Sequence, residues 1–120
     1  MSLLRVADSF YVGVNVVAAA SAWYIEKFGL KEITVELDEG EGCIALAFPR
    51  ELPTPIVLGP SRTATDGTTP MLYAGNINKA RERLSSRGVS VGAVQEDRQG
   101  THYFEMRDLE GNVIEISEEP

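Results

Sequence analysis

Two carboxylates and an arginine stand at alternate positions near the C-terminal end. Glu105 and Arg107 lie in Tyr103-Phe104-Glu105-Met106-Arg107, and Glu115 lies in Val113-Ile114-Glu115-Ile116-Ser117. Successive side chains of an extended chain point to opposite faces, so Tyr103, Glu105 and Arg107 share one side of their strand, as do Val113, Glu115 and Ser117 of theirs. Phe104, Met106, Ile114 and Ile116 take the other side, and their apolar character marks it as the side packed under helices. The polar side is either exposed to solvent or lines a site. A carboxylate pair suits two chemistries. It attracts a cationic group, or it acts as a general acid through the member that its neighbour keeps protonated, which makes Glu105 and Glu115 the candidate catalytic residues. The plain alternative is that Glu105 pairs with Arg107 or a lysine at the rim. Tyr11, Tyr73 and Tyr103 offer flat apolar surface with a polar tip, suited equally to a ligand and to strand packing.

The rest of the reactive inventory is short. His102 is the one histidine, and so the one side chain for nitrogen ligation or for proton transfer near neutral pH. Its alternation with Phe104 and Met106 places it on the helix side, away from Glu115. Cys43 is the single cysteine, which excludes an internal disulfide and a multi-cysteine zinc site. Its apolar run, Cys43-Ile44-Ala45-Leu46-Ala47-Phe48, predicts a buried, inert thiol. No nucleophile elbow and no glycine-rich phosphate loop follows a strand.

The elements that carry these residues come in two similar rounds. Ser9 to Val17 alternates, with Phe10, Val12, Val14 and Val16 on one face. The stretch from Ala18 to Phe28 is rich in helix formers and ends at Gly29, placed for a left-handed cap. Ile33 to Leu37, the acidic turn Asp38 to Gly42, and Cys43 to Phe48 read as a hairpin, and Pro55 to Leu58 as a further strand. Gly59 to Thr69 is polar and reads as a connector. The order then repeats. Met71 to Ala74 is a strand, and Asn76 caps a helix with Ile77, Ala80 and Leu84 on one face, stopped at Gly88. Val89 to Val94, Tyr103 to Met106 and Val113 to Ile116 supply three strands, the last two joined by the turn Asp108-Leu109-Glu110-Gly111-Asn112. A repeat at about 60 residues predicts two equivalent βαβββ modules.

The chain has 120 residues, 43% of them hydrophobic, enough for one ordinary domain, here residues 1–120 with modules about 8–59 and 68–117. Eighteen acidic against 11 basic residues give a formal charge of −7, which disfavours nucleic acid as a partner; Lys79, Arg81 and Arg83 read as a solvated helix face. No apolar stretch approaches the ~20 residues of a membrane span, and the start Met1-Ser2-Leu3-Leu4-Arg5 lacks a signal-peptide pattern, so no membrane and a cytoplasmic location are expected.

Phe10-Tyr11-Val12-Gly13-Val14-Asn15-Val16, the helix ending Trp23-Tyr24, Phe28-Gly29-Leu30, and above all Asp108-Leu109-Glu110-Gly111-Asn112-Val113-Ile114-Glu115-Ile116 resemble the vicinal-oxygen-chelate superfamily, which includes glyoxalases, bleomycin-resistance proteins and ring-cleaving dioxygenases. Leu109 and Glu110 stand where the family's closing motif has Pro and Asp. The resemblance implies an α+β fold of two βαβββ modules, forming a curved mixed sheet with a cavity and helices on the outer face, often as a homodimer. It also implies metal ligands at four places. Residue by residue, these fall on Ser9, a position near Val57, Thr69 and Glu115. Only Glu115 is a metal-binding type for such a site.

Two functions stay open. The first is a metal-independent protein that binds or sequesters a small molecule in the sheet cavity, a cationic, antibiotic-like compound being one candidate. Ser9, Tyr11, Thr69, Tyr73, Tyr103, Glu105, Arg107 and Glu115 would line the site, and no cofactor would be needed. The alternative is a divalent-metal-dependent lyase, isomerase or dioxygenase of the same superfamily that uses Glu115. A third, effector sensing through a protein partner, lacks any DNA-binding element.

Overall fold

Alternating apolar positions drive two sheets, each with one side committed to a helix. The structure, a computed structural model, describes residues 4–6, 9–33, 42–49, 54–60 and 70–119. In order, the elements are β1 (Leu4–Val6), β2 (Phe10–Val14), α1 (Val17–Phe28), β3 (Lys31–Ile33), β4 (Ile44–Ala47) and β5 (Ile56–Pro60), then β6 (Met71–Ala74), α2 (Ile77–Ser86), β7 (Ser90–Val91), β8 (Gln95–Glu96), β9 (His102–Arg107) and β10 (Val113–Glu118). The N-terminal sheet has the order β2-β5-β4-β3. The C-terminal sheet has the order β1-β6-β10-β9-β7, with β8 also paired to β9. Leaving β1 and β8 aside, each sheet has the same βαβββ connectivity, with its first strand parallel to its last.

The helices stop and start as local chemistry dictates. Gly29, at φ +71, takes the left-handed conformation and returns its N–H to Ile25 O. At the end of α2, Val89 N–H bonds Leu84 O and Gly88 N–H bonds Ser85 O, with Gly88 at φ +84. Asn76 caps α2 by accepting from Lys79 N. Helix α1 has no such cap on its own side of the chain, because Val16 occupies the position. A residue of the other module supplies it. Glu110 accepts hydrogen bonds from Asn15 N (2.7 Å) and Val16 N (3.0 Å), placing negative charge at the positive end of α1.

Two features depart from the sequence reading. Leu4–Val6 forms a strand that joins the C-terminal sheet, antiparallel to β6, so the chain begins in one sheet and then crosses to build the other. Of the expected strand from Val89 to Val94 only β7 (Ser90–Val91) forms, and β8 follows just after it at Gln95–Glu96; both bond β9, and between them Gly92 N–H reaches Glu105 O. Of the predicted hairpin, residues 34–41 lie outside the described residues, as do connector residues 61–69.

Phe104, Met106, Ile114 and Ile116 are fully buried, and α2 packs over β9 and β10. Val12, Leu46, Ile56 and Leu58 are buried in the N-terminal half, where α1 packs on β4 and β5. Among the described residues no helix is long and apolar enough to cross a membrane.

The modules meet at the turn between β9 and β10. Asp108 is buried there, and its carboxylate accepts from the Tyr24 hydroxyl (2.7 Å), from the N–H groups of Glu110 and Asn112, and from Asn112 Nδ2. Asn112 Nδ2 also donates to Gly13 O. Burial and the adjacent Asp108 carboxylate together push the Tyr24 hydroxyl far above the usual phenol range, so it remains a donor. Gly59 allows a second close approach. A Cβ placed on it would sit 2.6 Å from Cys43 Sγ and nearer still to the Tyr11 hydroxyl, which donates to Pro60 O. Cys43 is half-buried rather than buried, lying just before β4 begins at Ile44.

Removing the hydroxyl in Tyr24→Phe is expected to lower the unfolding free energy by about 1–3 kcal/mol, the usual value for a hydrogen bond to a buried charge; urea denaturation measures it. Gly59→Ala should cost about 1–3 kcal/mol by displacing Tyr11 from Pro60 O, with the same readout.

Candidate functional site

The open face of the C-terminal sheet, opposite α2, is built in rows that follow the strand register. One row runs Arg5, Tyr73, Ser117, Tyr103 and Gln95 across β1, β6, β10, β9 and β8. The next row runs Met71, Glu115 and Glu105 across β6, β10 and β9. A third has Val113, Arg107 and Ser90.

Glu105 and Glu115 are direct cross-strand partners, which places their Cβ atoms about 5 Å apart. Like charges so placed repel. Neither carboxylate forms an ion pair among the described residues, and Arg107 instead donates from Nη1 to Gly111 O at 3.2 Å. Partial burial, then the charge of Glu105, then that of Asp97, hold the Glu115 carboxyl above the usual carboxylate range. Tyr103 OH reaches Gln95 Oε1 at 3.5 Å.

Sequence reasoning placed Tyr73, Tyr103, Glu105, Arg107 and Glu115 among the site residues, and all five lie on this face. Ser9 and Tyr11 go with the N-terminal sheet, which among the described residues shares no strand pairing with the other. Ser9 Oγ donates to Pro55 O (2.7 Å), and Tyr11 OH is committed to Pro60 O (2.6 Å). Thr69 lies outside the described residues. Sequence reasoning missed Arg5, which β1 brings onto the face. Its Nε donates to Glu119 Oε1 at 2.8 Å, and its guanidinium carbon lies 4.6 Å from the Tyr73 ring centroid. Leu4-Arg5-Val6 is too short a stretch for its alternation to have signalled a strand.

His102 opens β9 at the far end of the sheet. Its Nδ1 lies 3.1 Å from Glu118 Oε1 and its Nε2 4.0 Å from Glu96 Oε2, while its backbone N–H also donates to Glu118. That backbone bond, then the ring, hold the Glu118 carboxyl below its usual range. The cluster is separate from Glu115, as alternation implies.

The four positions at which the resemblance implies metal ligands do not fit a divalent transition ion. Ser9 is a neutral hydroxyl bonded elsewhere, Val57 is a buried aliphatic, Thr69 lies outside the described residues, and Glu115 alone is a carboxylate. Among the described residues no group of three or more His, Cys, Asp or Glu side chains is arranged to hold a metal.

No family model matches the chain, and no curated protein matches it. Solved structures do. A member of the glyoxalase/bleomycin resistance protein/dioxygenase superfamily from Sphaerobacter thermophilus DSM 20745 superposes with a TM-score of 0.73 at 22% identity, covering 93% of this chain and 95% of that one. TnmS3, an antibiotic binding protein from Streptomyces sp. CB03234, gives a TM-score of 0.73 at 22% identity, with 94% of each chain covered. A lactoylglutathione lyase from Agrobacterium tumefaciens gives 0.67 at 19%, covering 92% of this chain and 91% of that one. Paired βαβββ units, helices on one side of two open sheets and these superpositions together give the chain the vicinal-oxygen-chelate fold of the glyoxalase/bleomycin resistance/dioxygenase superfamily.

Proposed function

We propose that this protein binds a small molecule on the open face of its C-terminal sheet without a metal, and that the molecule presents a cationic group to Glu105 and Glu115. The observation that carries the reading is the cross-strand carboxylate pair, left without a cationic partner among the described residues and flanked by Tyr73 and Tyr103. A like-charge pair directly across two strands is destabilising on its own, and a bound cation removes the repulsion. Aromatic rings in the adjoining row add cation–π attraction and apolar contact. Antibiotic binding by TnmS3, which has the same fold, supports sequestration as the role. The functional unit in this reading is a homodimer, the assembly that the family resemblance implies.

The retained Glu115 and the structural likeness to a lactoylglutathione lyase favour one alternative, a divalent-metal-dependent lyase, isomerase or dioxygenase. A thermal-shift series separates the two. With Ni, Zn, Mn and Fe ions no stabilisation is expected, whereas amphiphilic amines should raise the melting temperature in wild type and not in Glu115→Gln. A stoichiometric ion whose stabilising effect disappears in Glu115→Ala would overturn the metal-free reading.

The electrostatics make a second prediction. A carboxyl that holds its proton more tightly in the folded state adds stability below its unfolded pKa, and that stability is lost as pH rises through the folded value. Glu115→Gln should therefore gain stability relative to wild type as pH rises from about 4 to about 7, reaching roughly 0.2–1 kcal/mol at the upper end. Urea midpoints at the two pH values measure this; a difference that stays flat with pH would mean that the two carboxylates do not interact.

A further inference from the structure

The carboxylate pair occupies only the middle of the open face. At one end stands Arg5, the sole cation of its row, and its surroundings hold the guanidinium in place. Nε is engaged by Glu119 Oε1 at 2.8 Å, and the group lies 4.6 Å from the centroid of the Tyr73 ring. A guanidinium has five N–H donors in a rigid plane, and its two terminal nitrogens present an end-on pair matched to a carboxylate. Those terminal nitrogens of Arg5 make no hydrogen bond among the described residues. Beyond Tyr73 in the row is Ser117, only 7% exposed between Tyr73 and Tyr103, with one long contact of 3.4 Å from its Oγ to Glu118 O. The row thus offers an oriented cation beside the hydroxyl-bearing side chains Tyr73 and Ser117.

Register gives the backbone spacing between this residue and the acidic pair. Arg5 lies two strands from β10 and one row along from Glu115. With strands about 4.8 Å apart and same-face residues about 6.8 Å apart along a strand, the separation is on the order of 10 Å. Opposite charges on one face select by charge pattern: a purely cationic molecule leaves the terminal nitrogens of Arg5, whose Nε is paired with Glu119, without an acceptor, and a purely anionic one meets Glu105 and Glu115.

We propose that the open face takes an amphoteric ligand, its anionic group, a carboxylate or a similar oxyanion, held end-on by Arg5 and its cationic group by Glu105 and Glu115. The inference rests on the cation-binding reading of that pair and adds the second pole. It makes Arg5 a specificity-determining residue.

The probes are ω-aminoalkanoates of increasing chain length, with alkylamines and alkanoates of matched length, titrated into the nitrogen-15-labelled full chain and followed by amide chemical shifts. An aminoalkanoate whose charged groups are on the order of 10 Å apart is expected to bind about tenfold more tightly than the matched amine, the gain of one charge-assisted hydrogen bond. Arg5→Gln should abolish that tenfold preference and leave the amine's affinity unchanged; Arg5→Lys, which keeps the charge without the planar fork, should retain only part of it. Unchanged amide dispersion shows that each variant folds. Equal affinity for amine and aminoalkanoate, or a preference that persists in Arg5→Gln, would overturn the second pole while leaving the cationic reading intact. If neither the amine nor the aminoalkanoate shifts the amides of β9 and β10, both readings fall together.

Discussion

A carboxylate buried away from water is tolerated only where hydrogen bonds replace its hydration, and Asp108 is in that position. Three of its four donors come from its own turn, the N–H groups of Glu110 and Asn112 and the side chain of Asn112, so the turn must keep one conformation to supply them. The fourth is Tyr24, from a helix of the other module. The turn therefore joins the modules as well as two strands. Glu110 reaches back to the start of α1 and Asn112 to the end of β2, so the same five residues stabilise the helix start that Val16 cannot cap. Leu109, 51% exposed, and Gly111 are the members of the turn that stay in solvent.

Fixing this turn has a consequence about three residues away along each strand. The pairing of β9 with β10 is antiparallel, so the turn sets the register, and that register puts Glu105 opposite Glu115. A slip by one residue would relieve the repulsion, yet it would also turn either Phe104 and Met106 or Ile114 and Ile116 out of the core. Burial of two large apolar side chains, each contributing roughly 1.5–3 kcal/mol, outweighs a cross-strand repulsion below about 1 kcal/mol. The like-charge pair is thus held in place by the core beneath it and by the turn beside it.

Local pattern made much of this legible. Period-two alternation assigned both faces of β9 and β10, helix periodicity assigned the buried side of α2, and Asn76, Gly29 and Gly88 marked helix ends through chemistry that acts within a few residues. Pairings between distant segments were not legible. Three residues, Leu4 to Val6, are too few to show a period, and their strand exists because β6 offers an edge some seventy residues later. With β1 unread, Arg5 had no face, and the site read from sequence contained only its acidic and aromatic members. The closing motif was recognised by resemblance alone; that Asp108 and Glu110 act on the opposite module emerges only when Tyr24 and Val16 are placed beside them. The sequence reading also assigned Ser9 and Tyr11 to the same site as Glu115. Both lie in the N-terminal half, where their hydroxyls donate to the carbonyls of Pro55 and Pro60.

The charge pattern of the open face follows from where its partners are missing. Arg107 gives a hydrogen bond to the carbonyl of Gly111 rather than to Glu105, and Arg5 stands on β1 with Glu119. An exposed pair such as Arg5 and Glu119 contributes little to folding, since solvent screens it. Its larger effect is geometric, because Glu119 and the Tyr73 ring between them restrict the orientation of the guanidinium before any ligand arrives. Restraint of this kind lowers the entropy that a ligand would otherwise have to remove on binding. The same reasoning applies to Glu115, whose partial desolvation is already set by the fold. An unfavourable interaction in the free protein becomes part of the affinity for whatever relieves it, and on the proposed reading this makes Glu105 and Glu115 the groups that select the ligand.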